Sequence, residues 1–255
     1  MRVLRSFLTF VALTLCMPLV AAAEAPAEIS IIIDDLGYQL ELSERALNLP
    51  GAVSFAILPQ TPNSAPLARA AHGKGKEVLL HLPFESVGRD EADEPGEITL
   101  DMTRTAFHEA VTASLASVPH AIGVSNHQGS LLTRHPGHMA WLMEEIAAHE
   151  GMFFVDSFTT HQSVALQLAT ETGVAAARRN VFLDNDRSPD AIEREFDRLV
   201  ALARKHGKAV GIGHPYPETL DFLERRLLEI NQAEIKLIPV SQVVNSSEPA
   251  TTDRL

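Results

Sequence analysis

The segment Ile29-Ser30-Ile31-Ile32-Ile33-Asp34-Asp35-Leu36-Gly37 joins a continuous apolar run to a pair of carboxylates. A strand with one wet face alternates apolar and polar residues; this run does not, so both of its faces are covered. That pattern belongs to a parallel strand buried between layers, and Asp34-Asp35 stand where it ends. Working outward, similar short runs recur at 52–57, 77–80, 121–124, 152–155, 174–177 with the nearby 181–183, 209–212 and 235–238. Helical patterns fill most of the gaps: 62–72 ahead of the turn Gly73-Lys74-Gly75, a helix capped by Asp101 and running to about Ser117, one from Pro136 to before Gly151, one opened by Ser188-Pro189 and stopped by Gly207, and 217–232. The last carries Leu220, Phe222, Leu223, Leu227 and Ile230 at helical spacing. Strands alternating with helices imply an α/β chain with a parallel sheet covered by outer helices. Seven or eight mainly parallel strands fit a closed or nearly closed (β/α) barrel better than an open doubly wound sheet, in a single domain. The acidic stretch 86–96 reads as an excursion near the site, and the polar tail 245–255 as disordered.

The first 23 residues read as a secretory signal peptide. Arg2 and Arg5 form a basic head, an apolar run follows to Val20, and Ala21-Ala22-Ala23 offers the small residues that precede cleavage. The run falls short of the roughly 20 residues that span a bilayer, and Pro18 breaks its end. The single cysteine, Cys16, lies inside this leader. Leu15 stands before it, where a lipoprotein signal needs a small residue. A mature chain of 24–255 therefore forms no disulfide and depends on its core. The whole chain carries a formal charge of −12, and loss of two arginines with the leader makes it more acidic still. Such a charge argues against a nucleic-acid partner. The expected location is the periplasm or the exterior, with no membrane span after cleavage.

In barrels and open α/β sheets the site forms at the carboxyl ends of the strands. Read that way, the exits carry Asp34-Asp35, His81 with Glu85, Asn126-His127, Asp156, Asp184 and His214. Each alone has an ordinary explanation: a turn, a buried histidine bonded to backbone, or a helix cap, the last being the expected use of Asp156 or Asp184. Acids and histidines recurring at successive exits suit a zinc-type site with three protein ligands and an open position. His81 and Glu85 are four apart, so one helical turn would bring both to one face. His72, His149 and His206 sit at helix ends, and His108, His120, His135, His138 and His161 lie in helices or their flanks; none is given chemistry.

The order of these motifs resembles the divergent polysaccharide deacetylases, relatives of the NodB-type carbohydrate esterases. The resemblance runs from Ile29 to about Val244, so residues 24–244 form the NodB-like domain. It is carried by 31–37, 80–85, Ser125-Asn126-His127-Gln128-Gly129-Ser130, 181–184 and Gly211-Ile212-Gly213-His214-Pro215. It implies a distorted (β/α) barrel, Asp34 as general base, Asp35 and His81 as metal ligands, and His214 as general acid. Two histidines four apart complete the ligand set in the ordinary family; here either Glu85 or His127 would be the third ligand. The family's Arg-x-Pro-Tyr segment is absent, and Asn126-His127 stands roughly in its place.

The implied activity is a metal-dependent hydrolysis, with zinc as the expected ion, that removes acetyl groups from an N-acetylated envelope polysaccharide. Asn126, Asp184, Tyr38 and Tyr216 are the expected substrate contacts, the tyrosines as stacking platforms, while Trp141 packs its helix. A glycan-binding or scaffold protein on the same fold is the alternative, since the arginine that would steer Asp34 is missing. A metal-dependent phosphoesterase is a weaker third reading, because the sequence shows no glycine-rich phosphate loop and no Lys/Arg cluster near the motifs.

Overall fold

The computed structural model describes residues 26–88, 94–230 and 234–244, so the proposed leader and the polar tail lie outside the described residues. The strands are β1 (Ala27–Leu36), β2 (Ser54–Ile57), β3 (Val78–Phe84), β4 (Ala121–Gln128), β5 (Phe153–Asp156), β6 (Ala176–Arg178), β7 (Val181–Phe182), β8 (Lys208–Gly213) and β9 (Ile235–Leu237). The helices are α1 (Leu40–Leu47), α2 (Ser64–Gly73), α3 (Arg104–Ser117), α4 (Pro136–Ala147), α5 (Ala165–Thr172), α6 (Pro189–His206), α7 (Pro217–Glu229) and α8 (Val240–Val244). No helix among the described residues is long and apolar enough to cross a membrane.

All the strand pairs are parallel. The sheet runs β6-β5-β4-β3-β2-β1-β8-β7, with β9 also on β1. β6 and β7 stand at opposite ends of that path, yet only Arg179 and Asn180 separate them in the chain. Two residues cannot cross an open sheet of eight strands spaced about 4.8 Å apart. The sheet therefore curls until its edges meet, leaving a seam at β6/β7. Nine strands replace the seven or eight expected. The surplus arises because 174–183, read as one strand region, is two strands on opposite edges.

Strand parity sorts the core into two layers. Ile32, Ala56, Leu79, Phe153, Val155, Ala177, Val210 and Ile212 face the barrel lumen, which α8 closes with Val240 and Val244. Ile29, Ile31, Ile33, Phe55 and Leu80 face the helices with Phe107, Leu142, Phe196 and Leu199. Each fully buried isoleucine contributes on the order of 1.5–3 kcal/mol. Both faces of β1 are thus consumed by packing, which is what its unbroken apolar run required.

The expected strands and helices are present with shifted bounds. α1 and α8 lack the capping signals that would have revealed them, whereas α5 carries one, Gly173 in the left-handed conformation at its C-terminus. The start of α3 also differs: Thr103, not Asp101, caps it, its hydroxyl accepting the Ala106 amide.

Candidate metal centre

Lumen-facing positions continue past the packed layer and become polar at the carboxyl end of the barrel. After Ile32 comes Asp34, after Leu79 comes His81, and after Ile212 comes His214. β3 and β4 pair His81 with Ser125 and Pro83 with His127, so Ser125 and His127 lie two residues apart on the same face. Asp35 has the wrong parity for this face. It is admitted by a bulge: between Ile33 and Leu36 the β1–β2 register slips by one residue, and Asp35 adopts a φ of 60°. An aspartate tolerates that left-handed conformation better than most residues, and the bulge turns two consecutive carboxylates toward one histidine.

Asp35, His81 and His127 each place one potential ligand atom within 4.8 Å of the other two. Asp35 Oδ1 lies 3.1 Å from His81 Nε2 and 2.8 Å from His127 Nδ1. It nevertheless has no hydrogen bond of acceptable geometry. Three donor atoms converging on one point, with an orphaned carboxylate oxygen among them, fit a cation held between them. Two imidazoles and one carboxylate are the donor set of a three-ligand zinc-type site. His81 is positioned from behind: its Nδ1 lies 2.8 Å from the Ser125 hydroxyl, and both residues are buried. With Nδ1–H donated to Ser125, the lone pair of Nε2 faces the centre.

The surroundings demand positive charge. Burial raises the Asp34 carboxyl above its usual range, against the pull of His81 and His214. Burial acts the same way on Asp35, but the adjacent His127 and His81 hold it well below that range. Burial opposes protonation of His127, yet Asp35 and Glu94 push it up to about 10. Glu94 Oε1 lies 3.4 Å from His127 Nε2.

His214 faces the cluster from β8. Its Nε2 is 3.8 Å from Asp35 Oδ2. Behind it, Asp184 Oδ1 is 2.8 Å from His214 Nδ1, while Oδ2 accepts the His214 amide at 2.6 Å and the Thr219 hydroxyl at 2.8 Å. Burial disfavours the imidazolium, but Asp184 outweighs it and raises His214 to about 9. Asp34 stands on the adjacent strand, β1, with Oδ2 3.5 Å from His81 Nε2 and Oδ1 without a hydrogen-bond partner among the described residues. Tyr38 is half exposed, and Tyr216 packs on His214 at 5.4 Å.

Four expectations need correction. Glu85 does not share a face with His81, because 78–84 is extended and four residues of strand span about 13 Å. Its carboxylate accepts the Leu100 amide at 2.7 Å instead. Asn126 cannot meet a substrate: it is fully buried, accepting the Ser157 amide and donating to the Gln128 carbonyl. Asp184 is likewise shut away, its side chain fully buried behind His214. Neither Asp156 nor Asp184 caps a helix; Asp156 accepts from the Phe158 amide and the Ser163 hydroxyl. Trp141 packs against Phe107 and His138.

The sequence reading missed Ser125, Glu94 and Thr219. It also missed that Arg179 and Arg187, on either side of β7 in the chain, stand beside the centre. Arg179 donates to the carbonyls of Ser157 and Phe158 and lies over Phe182, and Arg187 lies over Tyr216.

A family model described as divergent polysaccharide deacetylase matches residues 31–244. The uncharacterized protein YibQ of Escherichia coli (strain K12) is 31% identical over 97% of this chain and 76% of its own length. Among solved structures, an uncharacterized protein of Agrobacterium tumefaciens C58 superposes with a TM-score of 0.82 at 22% identity, covering 88% of this chain and 92% of that one. The catalytic domain of a peptidoglycan N-acetylglucosamine deacetylase from Eubacterium rectale ATCC 33656 superposes at 0.51 and 13% identity, covering 93% and 99%. At those identities the likeness is one of fold: a NodB-like (β/α) barrel.

Proposed function

The chain belongs to the divergent polysaccharide deacetylase family, and from that premise we propose that it is a metal-dependent hydrolase that removes acetyl groups from an N-acetylated glycan of the cell envelope. The observation that carries the reading is the placement of a buried carboxylate and a carboxylate-backed histidine, at the adjacent ends of β1 and β8, beside one donor set. Asp35, His81 and His127 would hold a divalent cation, zinc by the chemistry of its donors. Bound there, such an ion supplies Lewis-acid polarisation of the acetamide carbonyl and acidifies a water.

The protein's own groups do the rest. Asp34, buried and poorly solvated, is the base that takes the proton of the water that attacks the carbonyl carbon. His214 carries a proton on Nε2, because Asp184 fixes Nδ1–H on the far side of the ring, and gives it to the departing amine. The new C–O bond forms, the amide C–N bond breaks, and acetate and a free amino sugar leave. Tyr38, half exposed, offers a face on which a sugar ring stacks, whereas the Tyr216 ring is taken up by Arg187 and His214.

The test is release of acetate from N-acetylglucosamine oligomers by the zinc-loaded protein. Turnover that is abolished in Asp34→Asn, with metal content unchanged, supports the assignment. Turnover that survives that substitution removes Asp34 from its role.

A second reading, a glycan-binding protein that keeps the fold and the metal without turnover, is favoured by one observation. Asp34 Oδ1 has no hydrogen-bond partner among the described residues, so no guanidinium holds that oxygen, and Arg179 acts on Asp34 through charge alone. Retention of acetylated oligomers with no acetate released would establish it. The proposed location, periplasm or exterior, rests on the leader 1–23 and is checked by N-terminal sequencing of protein recovered from the envelope.

A further inference from the structure

The seam of the barrel opens into a cavity of about 710 Å³. Arg178, Arg179 and Phe182 line its inner side, and one face of α6 lines the other, where Arg194 and Arg198 recur four residues apart. The lining holds four arginines against two carboxylates, Asp186 and Glu195, in a chain whose net charge is −12. Both carboxylates are already engaged. Glu195 pairs with Arg198 at 3.1 Å, and Asp186 accepts the Ser188 amide at 2.9 Å. Arg178 and Arg194 form neither a hydrogen bond nor an ion pair among the described residues.

Aromatic rings and carbonyls hold the inner guanidinium groups in place. Arg178 lies over the Phe158 ring at 4.2 Å. Arg179 lies over Phe182 at 3.6 Å, while its Nε and one terminal nitrogen donate to the carbonyls of Ser157 and Phe158. Stacking of this kind orders the side chain and leaves N–H edges for a planar oxyanion. The cavity also shares a wall with the metal centre, because Phe182 stacks on His214 with ring centres 6.0 Å apart. Among the described residues only Arg198 of the four is ion-paired, so the gathered like charges repel one another, and a bound anion relieves that repulsion.

We propose that this cavity binds an anionic substituent, a carboxylate or phosphate, on a sugar next to the one at the metal centre, so that the substrate is an acidic glycan. The word glycan rests on the deacetylase reading above; the anion subsite rests on the cavity.

The experiment compares binding of three oligosaccharides of equal length by calorimetry: a neutral N-acetylglucosamine oligomer, one with alternating uronate units, and one carrying phosphate. The wild-type protein binds a charged oligomer about tenfold tighter than the neutral one at low salt, and the advantage shrinks as salt rises. The carboxylate and phosphate arms identify which anion is preferred. Arg178→Gln/Arg194→Gln, shown to melt as the wild type does, binds the three alike. Equal wild-type affinity for neutral and charged oligomers overturns the proposal, and so does a preference that persists in the double variant. Acetate release is followed on the same samples. Release without charge preference removes the anion subsite and leaves the deacetylase reading standing. Charge preference without release from any oligomer does the reverse.

Discussion

Replacement of Ser125 by alanine tests how the metal centre is held together. Ser125 touches neither the cleft nor the proposed ion; it acts through the 2.8 Å contact between its hydroxyl and His81 Nδ1. Both residues are buried, at 0% and 2% exposure, so water cannot replace the lost partner. A buried donor left unsatisfied costs about 1–3 kcal/mol. For a chain of this size each kcal/mol shifts Tm by about 2–4 °C, so the metal-free variant should melt about 2–12 °C lower. The second effect falls on the ion. Freed from Ser125, the His81 proton can move to Nε2, where it blocks the lone pair that faces Asp35. Loss of such a supporting contact typically weakens metal affinity 10–100-fold, about 1.4–2.7 kcal/mol. Zinc affinity is measured by competition with a chromophoric chelator, and the tautomer by NMR of the imidazole nitrogens. A Ser125→Ala protein that binds zinc within twofold of the wild type would show that Ser125 does not orient His81.

Four further outcomes follow from other parts of the structure. Purified protein reconstituted with zinc should hold close to one ion, and His81→Ala should hold none, as read by elemental analysis; no metal in either overturns the centre. Asp184→Asn should lower turnover by orders of magnitude while zinc affinity stays within a few-fold, since Asp184 touches His214 and none of the three ligands; equal turnover removes His214 as the acid. Gly123→Ala should cost about 1–3 kcal/mol in denaturant unfolding, because the added carbon would stand 2.6 Å from the rigid Phe153 ring; an unchanged midpoint would contradict the packing described. Burial raises the carboxyl of Asp156 above its unfolded value of 3.8, so its ionisation opposes folding, an effect absent below 3.8 and complete above the folded pKa. Asp156→Asn should therefore gain stability relative to the wild type as pH rises from 3 to 7, and a gain that is flat across that range would refute the assignment.

The strands were legible because hydrophobic periodicity is a local signal, and the barrel followed from counting their alternation with helices. The polar residues in the carboxyl-terminal halves of β1, β3 and β4 and just after β8 were legible for a topological reason: carboxyl ends of parallel strands converge on one rim. What sequence could not supply was side-chain direction. Asp35 joins Asp34 on one side only because of a bulge, and nothing in Asp34-Asp35-Leu36 announces it. Glu85 failed because its spacing from His81 was read with a helical period in an extended segment. Asn126 and Asp184 stand at strand exits and yet face inward, and Glu94 looks in sequence like its acidic neighbours Glu91 and Asp93. The arginines of the seam come from the end of β6, its link to β7 and one face of α6, and the fold of that stretch brings them together.

That closure also governs the order in which the molecule can be made. β1 is the first strand of the described chain and carries Asp34 and Asp35. One of its flanks is filled by β8, where Ile32 pairs with Ile212, and its opening residues await β9, where Ala27 pairs with Ile235. These are contacts between the two ends of the sequence, and loop-closure entropy makes such contacts slow to form. As the chain elongates, β1 can gain β2 early but stays unpaired on its other side until the last strands exist. The carboxylates therefore reach their final positions only once β1 has joined β8, so an ion bound at this centre reports that the first and the late strands of the described residues have come together.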